Sequence, residues 1–133
     1  MDNSAKLDKW NAVKKSIDTQ NFKKQVEIQS IYWISIGQNV GSEVFGKSGI
    51  FTRPVLVINV FFNGTFLGVP VSSKVQNKTG RLYYKFIDSK NRLQVALLGQ
   101  IRIFDIKRVA NYISKVEKSD FEKIRAKIQK EIV

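Results

Sequence analysis

The 133-residue chain has no histidine and no cysteine. Without histidine, the commonest general acid or base near neutral pH is missing. That excludes a two-histidine ribonuclease mechanism and any Ser-His-Asp triad. With neither imidazole nor thiolate, zinc lacks its favoured ligands. Disulfides and thiol catalysis are excluded as well. No apolar run approaches the roughly 20 residues of a membrane span. The opening Met1-Asp2-Asn3-Ser4-Ala5-Lys6 leads into charge and not into a signal-peptide core. The composition therefore points to a cytoplasmic protein with no membrane contact, metal or cofactor. Any chemistry falls to Arg, Lys, Glu, Asp, Tyr, Ser or Thr.

What is present is positive charge. There are 23 basic and 11 acidic residues, a net charge of +12. Residues 75–110 hold eight basic and two acidic groups, which is half of the whole excess. Such a field suits nucleic acid or a strongly acidic protein partner. Hydrophobic residues make up 43% of the chain, enough for the core of one compact domain.

Punctuation along the chain predicts a mainly β protein with flanking helices. Residues 4–19 read as a helix, with Leu7, Trp10, Val13 and Ile17 near one face. Residues 1–30 read as a helical extension, and 31–133 as the main domain. Strands are expected over residues 31–36, 55–62, 65–71, 81–87, 93–98 and 100–106, the last two bent at Gly99. The segment 37–52 holds four of the eight glycines and reads as a long loop. Residues 107–113 read as a short helix or an irregular return. Ser119-Asp120-Phe121-Glu122 matches a capping box, with Phe121, Ile124, Ile128 and Ile132 as the apolar stripe behind it. Short strands with tight turns suggest a small antiparallel barrel.

Several residues can carry chemistry. Arg53 stands at the mouth of the apolar strand Pro54-Val55-Leu56-Val57-Ile58. Its permanent charge and forked donors suit a phosphate, though it is a poor base. Alternatively it only flanks the strand. Glu43 is the one acid between Glu27 and Asp88. It could take a proton from a ribose 2′-OH, hold Arg53, or merely order its loop. Asn63-Gly64 is a two-residue hairpin signal, which pairs position 53 with position 74. Ser72, Ser73 and Lys74 should then share Arg53's end of the strand pair, as a phosphate corner or as an ordinary polar loop. Arg81, Lys85, Arg92 and Arg102, with Tyr83, Tyr84 and Phe86, interleave cations and rings as single-stranded nucleic-acid binders do. Plain alternation about a core explains the same pattern. Gln100 and Arg102 fall on one strand face, followed by Asp105 and Arg108, which are placed to pair.

The order Gly41-Ser42-Glu43, Gly46, Arg53-Pro54-Val55-Leu56-Val57-Ile58, Val69-Pro70-Val71-Ser72-Ser73, Ala96-Leu97-Leu98-Gly99-Gln100-Ile101-Arg102, Asp105 and Arg108 resembles the MazF/PemK toxin family. The resemblance spans roughly residues 31–133. It implies an SH3-like barrel that dimerises with a second copy and cleaves single-stranded RNA, chiefly mRNA, without metal. It also implies an acidic antitoxin that covers the site. Arg53 matches the family's catalytic arginine, and Ser72 the position of a family threonine. Catalysis is thus assigned to Arg53, Ser72 and Glu43, and RNA binding to Ser73, Lys74, Arg81, Lys85, Gln100 and Arg102. Two alternatives remain open: a non-catalytic nucleic-acid-binding barrel, and a toxin on the same fold that poisons a protein.

Overall fold

The computed structural model describes residues 25–38 and 50–133. The expected N-terminal helix over 4–19 and the glycine-rich stretch with Glu43 lie outside these residues. Seven strands follow in chain order: β1 (Ser30–Gln38), β2 (Ile50–Val60), β3 (Thr65–Ser72), β4 (Tyr83–Ile87), β5 (Leu93–Leu97), β6 (Arg102–Asp105) and β7 (Val109–Lys115). A single long helix, α1 (Lys118–Glu131), closes the described chain. The strands form one antiparallel sheet in the order β4-β5-β3-β2-β1-β7, with β6 also pairing β3. This is the expected antiparallel, barrel-like architecture, although the hydrogen-bonded ladder does not close.

The strand β2 is buried on both faces, because its apolar residues run without alternation. Leu56 and Ile58 join one cluster with Val69, Val71, Ala96 and Leu98. Val55 and Val57 join a second with Tyr32, Ile34, Phe66 and Phe104. The helix covers the first cluster with Phe121, Ile124 and Ile128, spaced to share one helical face. Ile132, expected in the same stripe, falls past the helix end and is exposed.

Four local expectations are corrected. The helix starts two residues early: Glu117 is its N-cap, with no side-chain bond, so the Ser119–Glu122 box does not form. Val116, fully buried and bonded through its N–H to the Gln29 carbonyl, fixes the entry point ahead of Ser119. Residues 106–108 form one 3₁₀ turn, after which β7 pairs with β1 as a true strand. Asp105 accepts a hydrogen bond from the Lys107 N–H at 2.9 Å, while Arg108 reaches the Ser35 carbonyl at 3.5 Å. They do not pair with each other, because the intervening turn uses Asp105 as its cap. Finally, the long loop is shorter than expected, since Ile50, Phe51 and Thr52 extend β2 opposite the end of β1.

One buried carboxylate ties the β4–β5 turn to β7. Asp88 accepts hydrogen bonds from the Lys90 and Arg92 N–H groups, the Arg92 guanidinium, the Gln94 amide and the Ser114 hydroxyl. Burial alone raises its pKa, but these donors overcome that and hold it at about 2, below the usual 3.8. Tyr84 works in the opposite sense at the helix start. Burial, then its 2.7 Å hydrogen bond to Asp120, raises its hydroxyl to about 12. Because the Asp88 value is depressed on folding, its stabilisation is present above pH 3.8 and is lost as pH falls through about 2. Urea denaturation at pH 5 and at pH 2 should show this contribution, about 2 kcal/mol, disappear. Asp88→Ala, which strands the buried Gln94 and Ser114 donors, should cost about 3 kcal/mol at pH 7 and abolish that pH dependence.

Candidate nucleic-acid site

The site is built by strand register. In β1 and β2, Ile34 pairs with Arg53. In β2 and β3, Val55 pairs with Pro70 and Val57 with Gly68. Continuing that register by two residues sets Ser72 beside Arg53. Alternation puts Arg53 on the same face as Val55 and Val57, and Ser72 on the same face as Pro70 and Gly68. Ser72 then pairs with Val95, which pairs with Lys85. Lys85, Val95 and Ser72 thus pair across one row, and Arg53 and Ile34 across another; the β2–β3 ladder between them ends at Val55–Pro70, and alternation puts both rows on one face.

The sequence expectation pairs Arg53 with position 74, whereas the β2–β3 register as observed, ending at Val55–Pro70, runs toward position 72. The Asn63-Gly64 turn is not the two-residue type. Residues 61–64 make the connection, closed by the Phe61 N–H on the Thr65 carbonyl at 2.9 Å. Gly64 alone supplies the positive φ, +81°. A bulge between Val57 and Asn59 moves the register again. Together they shift the partner from position 74 to position 72.

Arg53 is half-buried, and its Nη1 donates to the Gln100 Oε1 at 3.2 Å. Among the described residues no carboxylate pairs with it. The Ser72 Oγ accepts the Lys74 N–H at 3.0 Å. This turn bond fixes the hydroxyl's place and leaves its proton free to donate. Gly68 keeps the floor low beside them: a Cβ there would sit 2.5 Å from Val55 Cγ1 and 3.1 Å from the Phe104 ring. Arg102 pairs with Gly68 in register and stacks its guanidinium 4.9 Å from the Phe104 ring. Lys85 is exposed and Tyr83 half-buried on the row's face, while Tyr84 and Phe86 turn into the core. Ser73 and Lys74 are exposed in the loop beyond β3.

Arg53, Ser72, Lys85, Gln100 and Arg102 thus share one face. Arg81 does not join the row. It lies ahead of β4 and forms an ion pair with Glu131 of the helix at 3.7 Å. Gln100 was expected on a strand with Arg102. It belongs instead to a 3₁₀ turn, Leu98–Gln100. Its contact with Arg53 escapes a strand reading, although Gly99 within a strand pattern was the available signal of an irregularity. A concavity of about 530 Å³ beside Asp88, Lys115 and Asp120 contains none of these residues. The site is an open face, as suits a long polyanion more than a small molecule.

The comparisons with known proteins bear on this geometry. The model of the PemK-like, MazF-like toxin of type II toxin–antitoxin systems matches residues 27–132. The chain belongs to this toxin family. Two solved structures share its fold. One is described as an endoribonuclease in complex with its cognate antitoxin from a mycobacterial species. It is 12% identical, with a TM-score of 0.57, over 80% of this chain and 93% of that one. The other is MazF from Deinococcus radiodurans, 19% identical, with a TM-score of 0.58, over 79% and 94%. No curated protein matches at the sequence level. Among the described residues, no helix is long and apolar enough to cross a membrane.

The turn at Ser72 can be tested without any substrate. Amide hydrogen exchange should show the Lys74 N–H protected in the native protein and in Ser72→Thr. In Ser72→Ala it should exchange about tenfold faster.

Proposed function

We propose that this toxin is a metal-independent endoribonuclease that cleaves single-stranded RNA, chiefly mRNA. What supports the reading is that a permanent cation, Arg53, and a hydroxyl donor, Ser72, stand on one face at the same end of the β2–β3 pair. In the reaction, the ribose 2′ oxygen attacks the adjacent phosphorus and the bond from phosphorus to the 5′ oxygen breaks. One proton leaves the 2′ oxygen and one is taken up by the departing 5′ oxygen. The products are a 2′,3′-cyclic phosphate and a 5′-OH end. Arg53 and Ser72 hydrogen-bond the non-bridging oxygens, whose charge grows in the transition state. Arginine is too weak a base to start the reaction. Glu43 is the carboxylate proposed for that step.

Lys85 and Arg102, on the face of Arg53, extend the positive track to neighbouring phosphates, with Ser73, Lys74 and Arg81 as further contacts. Tyr83 offers a ring to a base. The net charge of +12 suits an acidic antitoxin, and the mycobacterial neighbour is described with its own antitoxin bound. We place the active protein in the cytoplasm as a homodimer.

The purified protein should cut single-stranded RNA in excess chelator and leave cyclic phosphate ends. Arg53→Ala should lower the rate ~10²–10³-fold, and Ser72→Ala about tenfold to a hundredfold. RNA that is bound but never cut would instead support a binding module. Unaltered cellular RNA during growth arrest would point to a protein target.

A further inference from the structure

The 3₁₀ turn Leu98–Gln100 interrupts what would otherwise be one strand. Ser72 pairs with Val95, so an unbroken ladder along β3 would bring Gly68 opposite Gly99. Gly68 pairs with Arg102 instead. Three residues have been looped out of the sheet. The turn is pinned from both ends: the Leu98 N–H donates to the Leu82 carbonyl at 3.0 Å, and the Ile101 N–H closes on the Leu98 carbonyl at 3.2 Å. Leu98 is fully buried, which anchors the turn in the core. Leu82 packs so closely that a Cβ on Gly99 would lie 3.3 Å from its Cδ1. Gln100, exposed at the end of this anchored turn, sends its side chain to Arg53.

We infer that Gln100 is a positioning residue for Arg53, an inference that rests on the ribonuclease reading above. An arginine side chain has many rotamers, and a free guanidinium must give up that freedom on gripping a phosphate. The Gln100 Oε1 engages Nη1, and among the described residues nothing else bonds the guanidinium, whose remaining donors suit an anion. The chemistry of the partner matters as much as its position. A carboxamide orients the guanidinium and keeps its full charge. A carboxylate in the same place would orient it equally well but would compete with the phosphate.

Single-turnover RNA cleavage and RNA affinity, measured from pH 4.5 to 8 for wild type, Gln100→Ala and Gln100→Glu, separate this role from direct RNA contact. Gln100→Ala should cleave about tenfold more slowly with little change in affinity. Gln100→Glu should be slower than Gln100→Ala at pH 7. Its rate relative to wild type should recover as pH falls toward the carboxyl's ordinary value near ~4.3, where the side chain becomes a neutral isostere. The Arg53 Nε–H resonance, assigned by its loss in Arg53→Ala, should shift or broaden in Gln100→Ala. Wild-type rates in both variants would overturn the inference. So would lost affinity with an unmoved Arg53 resonance, which marks a direct RNA contact. A wild type that never cleaves would overturn the ribonuclease reading instead, and the Arg53 resonance would still decide the contact.

Discussion

The burial of β2 on both faces is the constraint on which the rest depends. Val55 and Val57 pack into one cluster, and Leu56 and Ile58 into the other. A slip of one residue would exchange the faces of all four and move Arg53 to the opposite side of the sheet. Because neither face can tolerate that exchange, the direction in which Arg53 points is set by core packing and not by the site itself. The corner at Arg53 costs little extra to build. It is the polar end of a register that the hydrophobic core has already selected.

The site is then completed by irregularities placed around this rigid strand. The Val57–Asn59 bulge and the 61–64 connection shift the register of the partner strand, so that Pro70 pairs with Val55 and Ser72 falls at Arg53's end of the strand pair. The looped-out turn after β5 carries Gln100 to the guanidinium. Gly68 contributes by having no side chain, since its neighbours already occupy the space a Cβ needs. Elsewhere the polar groups are spent on structure. Asp88 gathers five donors to hold the β4–β5 turn against β7. Tyr84 ties β4 to the helix through Asp120. Asp88, Asp105 and Asp120 thus serve architecture, while Lys74, Lys85 and Arg102 stay exposed on the surface, an arrangement suited to a polyanionic partner.

Much of this was legible in the sequence, for physical reasons that differ by element. The central hairpin showed itself through a long apolar run and the Asn63-Gly64 turn, so the meeting of Arg53 with the Ser72 region could be anticipated. Its register could not, because a bulge at Ile58 leaves no mark when the residues on both faces are apolar. β7 was misread because Ala110, Asn111 and Tyr112 are exposed and break the alternation a strand normally shows. The capping box failed because the anchored Val116 outweighs a local cap worth about 1 kcal/mol. Gln100 looked like a strand residue since Gln100-Ile101-Arg102-Ile103 alternates cleanly. Only its tertiary partner reveals why the strand is broken. The family order of motifs tied these pieces together where spacing alone left several readings open.

The central claim is that Arg53 and Ser72 form one anion corner that receives the scissile phosphate. The most direct measurement is an NMR titration of the protein with a single-stranded RNA carrying one 2′-deoxy residue at the cleavage position, which binds but cannot react. The account predicts the largest shifts at the Arg53 side chain and at the Ser72 and Lys74 amides, with smaller ones at Lys85 and Arg102. Shifts centred instead on the Asp88–Asp120 concavity or along α1, with Arg53 unmoved, would contradict it.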